Sequence, residues 1–183
     1  EPADLLYGQA GDDLIYGFDG TDTIYGGVGR DSIYGGYQDD LIFGNEDDDV
    51  IYGGDGDDSL HGGKGLDVLY GGSGADTLSG GAGADTVTLS DTANDTIDDI
   101  DFQNMSNVET VSIDNDAAIA VTLSSYFDQA GVSTISLDPT HVATVVATGV
   151  QDALTFIATG AQNENVTGGQ GNDTFVFNET GTL

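Results

Sequence analysis

Residues 53–61, with the sequence Gly-Gly-Asp-Gly-Asp-Asp-Ser-Leu-His, are the clearest copy of a nine-residue unit that dominates the first half of the chain. Nine such units run from residue 8 to residue 88 without an insertion or a deletion. Within each unit, position 1 is always Gly, position 6 is always Asp and position 8 is always aliphatic. The residues before the first unit follow the same spacing, with Asp4 at position 6 of an incomplete unit. One further copy occupies residues 168–176. An internal repeat of this kind predicts a solenoid of stacked coils.

The spacing of residue types within one unit predicts its conformation. The aliphatic residue at position 8 favours a three-residue strand in which positions 7 and 9 point outward. Glycine, frequent at positions 2 and 4 as well as 1, permits positive φ angles, so we expect the other six residues to turn. Two units then make one coil of 18 residues, and successive coils stack as parallel strands about 4.8 Å apart. We therefore expect an all-β fold, a right-handed parallel β-roll or β-helix solenoid with a narrow core of Ile, Leu and Val.

Stacking would place aspartates that are 18 residues apart directly above one another. One edge would carry Asp4, Asp22, Asp40, Asp58 and Asp76, and the other edge Asp13, Asp31, Asp49, Asp67 and Asp85. Bare carboxylates about 5 Å apart repel one another, and a divalent cation between neighbours removes that repulsion. Ca²⁺ is the expected ion because the available ligands are hard oxygens, namely carboxylates and the carbonyl groups of glycine-rich turns. The gaps in the two columns predict about eight Ca²⁺ ions.

The repeated unit resembles the RTX family of nonapeptide-repeat proteins, which are calcium-binding parallel β-rolls. The resemblance covers residues 4–88 and 168–176. The candidate metal ligands are the ten column aspartates together with Gly26, Gly35, Gly53, Gly62, Gly71, Gly80 and Asp173. The alternative is that each Asp caps its own turn. A turn cap would, however, tolerate Asn, Ser or Gly in some of the ten copies.

Several units lack a glycine at position 2 or 4. The replacements are Gln9, Phe18 and Asn45 at position 2, and Gln38 and Asp47 at position 4. Residues with a Cβ adopt positive φ poorly, Asn being the most tolerant and Phe among the least. We expect the sites in the turns of residues 17–25, 35–43 and 44–52 to be the least secure.

The composition is extremely acidic, with 33 Asp and Glu against two Lys and Arg, and a net charge of −31. The acids comprise 28 Asp and five Glu, a bias that favours turn-borne oxygen ligands over a merely solvated surface. The strong negative charge would repel nucleic acid and anionic membranes, which argues against either as a partner. There is no Cys for disulfides or thiolate sites, and no apolar run of membrane-spanning length. Glu1 stands in mid-unit with no signal peptide, so we expect a fragment of a longer protein.

The second half has fewer glycines and more Thr, Ser, Val and Ile. Alternation of apolar residues with Thr or Ser predicts strands at 108–113, 120–124, 132–137, 142–148, 153–158 and 174–177. We expect residues 1–88 to be the calcium-binding roll, 89–167 an irregular parallel β-helix and 168–183 a returning repeat with a terminal strand. Residues 91–107 are predicted to be a loop with at most one helical turn. Residues 105–178 resemble bacterial surface-layer and large surface-protein RTX chains.

No catalytic motif is found in the chain, and we expect no enzymatic activity. There is no His-Glu-x-x-His, and residues 71–75 fail the Gly-x-Ser-x-Gly pattern because the last residue is Ala. His61 occupies a position 9 that Tyr usually holds, which favours a surface role over a ligand. His141 lies in a predicted turn with no partner residue near it in sequence.

Aromatic residues recur at position 9 and predict two ladders on the outer faces. One is Tyr16, Tyr34, Tyr52 and Tyr70, and the other is Tyr7, Tyr25 and Phe43. Stacked rings stabilise neighbouring strands, but an aromatic stripe also suits self-association or packing against another subunit.

Two functions are compatible with these features. The first is a non-catalytic, calcium-stabilised structural module of a secreted bacterial surface protein in a surface layer, filament or adhesin. The second is the C-terminal module of an enzyme or toxin, where the roll assists folding and secretion. The RTX resemblance implies type I secretion and an extracellular or cell-surface location in either case.

Overall fold

A computed structural model describes residues 2–89, 105–113, 119–122, 131–137, 143–147, 150–159 and 165–178. Ten strands form the repeat region: β1 (Leu5–Ala10), β2 (Leu14–Asp19), β3 (Thr23–Val28), β4 (Ser32–Tyr37), β5 (Leu41–Glu46), β6 (Val50–Asp55), β7 (Ser59–Lys64), β8 (Val68–Ser73), β9 (Thr77–Ala82) and β10 (Thr86–Leu89). Eight follow: β11 (Met105–Ser106), β12 (Thr110–Ile113), β13 (Ile119–Thr122), β14 (Thr134–Leu137), β15 (Ala143–Val146), β16 (Thr155–Thr159), β17 (Asn165–Thr167) and β18 (Thr174–Asn178).

Alternate strands belong to opposite walls of the stack, as a coil of two units requires. One sheet has the order β1-β3-β5-β7-β9-β11, and the other β18-β16-β14-β12-β10-β8-β6-β4-β2. A third sheet, with the order β13-β15-β17, lies in the second half of the chain. All pairings are parallel, and in the repeat region each residue pairs with the residue 18 later, as Ile33 does with Ile51. The predicted parallel β-solenoid is confirmed.

The strands of the repeat region are longer than predicted. Each of β1 to β9 covers six residues, from position 7 of one unit to position 3 of the next, as in β4, and β10 covers four. The prediction of three residues is wrong because the backbone stays extended through the glycine at position 1. Positions 8 and 1 are two residues apart and share the inner face of the strand, so both are buried. The turn is therefore confined to positions 4 to 6.

The core is a single column of aliphatic side chains between the two sheets. Position 8 supplies Ile24, Ile33, Ile42, Ile51, Leu60, Leu69, Leu78 and Val87, each at most 2% exposed. The column continues beyond the repeats because Val87 pairs with Val111, Val111 with Ile135, and Ile135 with Phe156. Each of these side chains fills the same narrow space, so one core runs through both halves.

The second half continues the stack with longer coils. The sequence spacing between paired residues rises from 18 in the repeats to 24 between Val87 and Val111, and falls to 19 between Phe156 and Phe175. Each of the six predicted strands coincides with one in the structure, whereas β11 and β17 were not predicted. Met105 and Ser106 form a strand inside the predicted loop, which is wrong at that point. Residues 91–104 of that loop lie outside the described residues.

Candidate metal centres

The position-6 aspartates form two columns, one at each edge of the stack, where a turn gives way to a strand. The backbone N–H of Asp40 donates a hydrogen bond of 2.8 Å to Oδ1 of Asp58, which is 18 residues later. The same bond joins each neighbouring pair in both columns, at 2.7–2.9 Å. All the column carboxylates except those of Asp4 and Asp13 thus bridge coils through Oδ1, which contradicts the alternative that each one caps its own turn.

The second oxygen of most column aspartates is buried without a hydrogen-bond partner. This holds for Oδ2 of Asp13, Asp22, Asp31, Asp40, Asp49, Asp58, Asp67 and Asp85. Apart from Asp13, these residues are at most 3% exposed. Leaving a charged oxygen buried and unpaired costs several kcal/mol, so proteins pair such groups or use them to coordinate metals. The regular recurrence of this unpaired oxygen points to a cation as its partner.

The invariant glycine at position 1 marks where this oxygen converges with a backbone carbonyl. A Cβ on Gly17 would lie 2.5 Å from Oδ2 of Asp22 and 2.5 Å from the carbonyl oxygen of Gly35 in the next coil. No side chain fits into so small a space, which explains why position 1 is always Gly. The same arrangement presents the carbonyl groups of Gly26, Gly35, Gly44, Gly53, Gly62, Gly71 and Gly80. Six of these seven glycines were predicted from the sequence, and Gly44 was missed.

Burial of the carboxylates makes their charged form unfavourable. It raises the pKa of Asp40 and Asp67 to about 6 and that of Asp49 and Asp58 to about 7. Neighbouring carboxylates add to the increase, whereas the hydrogen bond from the preceding backbone N–H opposes it. A divalent cation beside Oδ2 would reverse this balance by stabilising the ionised form.

The oxygen donors fit Ca²⁺, which accepts carboxylate and carbonyl ligands in flexible geometry. No cluster of three or more His, Cys, Asp or Glu side chains suited to a metal occurs in the described part of the chain. This follows from the architecture, because each coil contributes one inner carboxylate to an edge and the other donors are carbonyl oxygens. A site therefore needs two stacked coils and does not exist within one unit.

A second set of acidic side chains at position 5 was missed by the sequence reasoning. Asp39 and Asp57 are exposed, and their Oδ1 atoms accept hydrogen bonds of 2.9 Å from the backbone N–H groups of Asp57 and Ala75. Asp12 and Asp48 make the same bond to the coil above, from Arg30 and Leu66. The recurrence of Asp at position 5, as at residues 39 and 57, was a usable signal. These residues strengthen the negative field around the inner columns.

The isolated last copy reproduces only part of the arrangement. Oδ1 of Asp173 accepts a hydrogen bond of 3.1 Å from the backbone N–H of Leu154, and a Cβ on Gly168 would collide with Oδ2 of Asp173, as in the repeats. Leu154, however, occupies the place that an aspartate holds in the columns, and it is 1% exposed. The preceding coil therefore offers no carboxylate at this level, and metal binding by Asp173 stays a prediction.

The turns that lack glycine keep a positive φ, although it is smaller than the 105–147° of the glycines in the other turns. Gln9, Phe18, Gln38, Asn45 and Asp47 have φ angles between 75° and 87°. The inter-coil bonds beside them have ordinary lengths, for example 2.8 Å from Asp22 N to Asp40 Oδ1. The substitutions therefore leave the oxygen geometry intact and store strain in the backbone instead.

The two predicted aromatic ladders are present. Ring centroids are 4.8, 4.6 and 4.4 Å apart along Tyr16, Tyr34, Tyr52 and Tyr70. The opposite ladder runs from Tyr7 through Tyr25 and Phe43 to His61, at 5.1, 5.0 and 4.8 Å. His61 is thus a ladder member, with its ring stacked on Phe43 and Nε2 3.2 Å from Oγ of Ser59. His141 lies outside the described residues.

Comparison with known proteins gives one match. The sequence model of a family described as RTX calcium-binding nonapeptide repeat (4 copies) matches residues 3–33, 25–60, 34–69, 52–87 and 156–176. Together these ranges cover more than half of the 183 residues. Searches of the curated proteins and of the solved structures find no match. The matched ranges contain all ten column aspartates and Asp173.

Proposed function

Because this chain belongs to the family of RTX calcium-binding nonapeptide-repeat proteins, we propose that it is a non-catalytic, calcium-stabilised structural module of a secreted bacterial surface protein. Surface layers, filaments and adhesins are the assemblies that such a module would serve. The observation that carries the proposal is the row of buried Oδ2 oxygens without partners. At neutral pH, a cation beside that oxygen would remove the cost of burying its charge when one coil stacks on the next.

The difference in free calcium between the cytosol and the cell exterior would determine where the chain folds. Extracellular calcium modules bind with dissociation constants of about 10⁻⁴ to 10⁻³ M, far above the free calcium of a cytosol. The chain would therefore remain unfolded where it is made and fold where calcium is plentiful. Proteins of this family are typically extracellular or secreted, in agreement with this role. Among the residues that the structure describes, none belongs to a helix long and apolar enough to cross a bilayer.

Self-association is part of the proposal. With a net charge of −31, copies of the chain repel one another, and bound calcium would cancel roughly half of that charge. The folded roll then presents its tyrosine ladder in register, from Tyr16, which is 46% exposed, to Tyr70. Lateral contact through this stripe would accordingly form in the calcium state alone.

Circular dichroism and light scattering of the chain, in EDTA and then during calcium addition, test the proposal. We expect a disordered spectrum in EDTA, a cooperative gain of β signal below a few millimolar calcium, and larger particles once the fold has formed. A complete β signal in EDTA at neutral pH would overturn the calcium-coupled role. Folding without any growth in particle size would reject assembly and favour a module that only assists the secretion of an enzyme or toxin.

A further inference from the structure

The first coil after the regular repeats continues one carboxylate column with a different residue. β11 pairs with β9 through Met105 and Leu78, and β12 pairs with β10 through Thr110 and Thr86. Three residues, 107–109, lie between Ser106 and Thr110, whereas six, 80–85, lie between Ser79 and Thr86, the residues with which those two pair. The turn is therefore shorter, and Glu109 stands directly before its strand, where the repeats have Asp.

The longer side chain of Glu109 compensates for the shorter turn. Its Oε2 accepts a hydrogen bond of 2.8 Å from the backbone N–H of Asp85, which is 24 residues earlier. One coil below, Oδ1 of Asp85 accepts the equivalent bond of 2.9 Å from Asp67 N. Glu109 thus makes the contact that defines the column, although no nine-residue unit surrounds it.

A carbonyl group completes the resemblance to the repeat sites. A Cβ on Gly80 would collide with the carbonyl oxygen of Asn107 and lie 2.6 Å from Oδ2 of Asp85. In the repeats, the carbonyl of a position-1 glycine takes that place. Asn107 has a φ of 51°, a conformation that Asn tolerates better than most residues with a Cβ, and the neighbouring Val108 is fully buried in the core. Both features hold the carbonyl in position.

The oxygen that faces this carbonyl has no partner. Asp85 is fully buried, and its Oδ2 makes no hydrogen bond. With Oδ1 already engaged by Asp67 N, a cation is the one remaining way to stabilise the ionised group.

We propose that Asp85, the carbonyl group of Asn107 and Glu109 form a further Ca²⁺ site at the junction between the regular roll and the coils that follow. The site lies partly outside the matched family ranges, which end at residue 87 and resume at 156. It rests on the proposed function in that the repeats must bind calcium too. Its consequence is specific: calcium at this junction docks the coil of residues 105–113 onto the roll.

The test compares Glu109→Gln with the unaltered chain at saturating calcium. The control is Glu46→Gln, which changes an exposed Glu paired with Lys64 at 2.8 Å on the outer surface. Native mass spectrometry counts the bound ions, and hydrogen exchange reports protection of β12. We expect Glu109→Gln to bind one ion fewer and to lose protection in β12 while β3 to β8 stay protected, and Glu46→Gln to match the unaltered chain.

The outcomes separate this site from the repeat sites. A full ion count and unchanged protection of β12 in Glu109→Gln would overturn the junction site and leave the repeat sites standing. If the unaltered chain binds no calcium at all, the proposed function fails and the junction site fails with it. Should Glu109→Gln prevent folding, Glu109→Asp replaces it. A roughly tenfold weaker affinity for one ion then supports the site, and an unchanged titration rejects it.

Discussion

Oδ2 of Asp58 and the carbonyl oxygen of Gly71 converge on one point above the α-carbon of Gly53. A Cβ on Gly53 would lie 2.5 Å from the Gly71 oxygen and would also collide with the carboxylate. The inner face of each turn is thus reserved for two oxygens from neighbouring coils. Position 1 must be glycine because the invariant aspartate at position 6 and a carbonyl group of the next coil occupy the space that a Cβ would need.

Gly53→Ala should destabilise the calcium-loaded roll by about 3 kcal/mol, because the added methyl group separates two stacked coils. Gly11→Ala is the matched control, since that glycine has a φ of 120° but no atom lies within 4 Å of the place that its methyl group would occupy. Backbone strain alone should make the control less stable by about 1 kcal/mol. Chemical denaturation at saturating calcium measures both. Gly53 is not among the glycines with a positive φ, so a loss no larger than that of the control would show that the space beside Gly53 accepts a methyl group.

Asp58→Asn should have opposite effects with and without calcium. The amide keeps an oxygen for the N–H of Asp40, and its NH₂ group can donate to the Gly71 carbonyl, so the metal-free fold gains stability. With calcium, the lost charge should raise the midpoint of the titration roughly tenfold and lower its cooperativity. Asp55→Asn, at an exposed residue that accepts a bond from Ser73, is the control and should change neither value by much. A calcium midpoint that moves equally in both variants would refute the column arrangement.

Acid should favour the calcium-free fold. Burial raises the pKa of Asp40 and Asp67 to about 6 and of Asp49 and Asp58 to about 7, above the ordinary value of 3.8. The folded state then holds more protons than the unfolded state between these values, so this contribution is complete below pH 3.8 and disappears as the pH rises to about 7. Circular dichroism in EDTA should show β structure near pH 4.5 that is lost by about pH 7.5. Stability that increases with pH over this range would contradict the burial of these carboxylates.

Gln38→Gly should stabilise the roll by about 1 kcal/mol, because Gln38 has a φ of 75° that glycine adopts without strain. Gln38→Ala separates this effect from the loss of the side chain, since it retains the Cβ and should bring no gain. Thermal unfolding at saturating calcium compares the three chains. A gain of similar size in the alanine variant would mean that the side chain, and not the backbone, carries the strain.

Tyr34→Ser should weaken both the roll and its calcium-dependent assembly. Tyr34 stacks between Tyr16 at 4.8 Å and Tyr52 at 4.6 Å, so the change removes two ring contacts and about 1–2 kcal/mol of stability. Tyr37→Ser removes a tyrosine that is 59% exposed and lies at position 3, outside the ladder. Light scattering in millimolar calcium should show reduced assembly for the first variant alone. Reduced assembly only in Tyr37→Ser would place the contact on a different face.

Much of the roll could be derived from the chain itself because its period is constant. A repeat of nine residues without insertions places Asp22 over Asp4 and Ile24 over Leu6, whatever the details of the backbone. The two columns, the inner core and the aromatic ladders follow from that spacing alone. The choice of Ca²⁺ follows as well, since the only groups repeated at the edges are carboxylates and carbonyls.

Other features depend on how one coil meets the next, and the spacing of one unit does not contain that information. The six-residue strands arise because glycine at position 1 faces the core beside position 8. In most column aspartates Oδ1 accepts a hydrogen bond and Oδ2 does not, and this difference depends on which backbone N–H the stacking brings within reach. Glu109 joins the column across 24 residues, by a shorter turn and a longer side chain that compensate for each other. Periodicity in sequence determines contacts wherever the coil length is constant. Where the coil length changes, only the three-dimensional packing decides which side chain reaches the neighbouring coil.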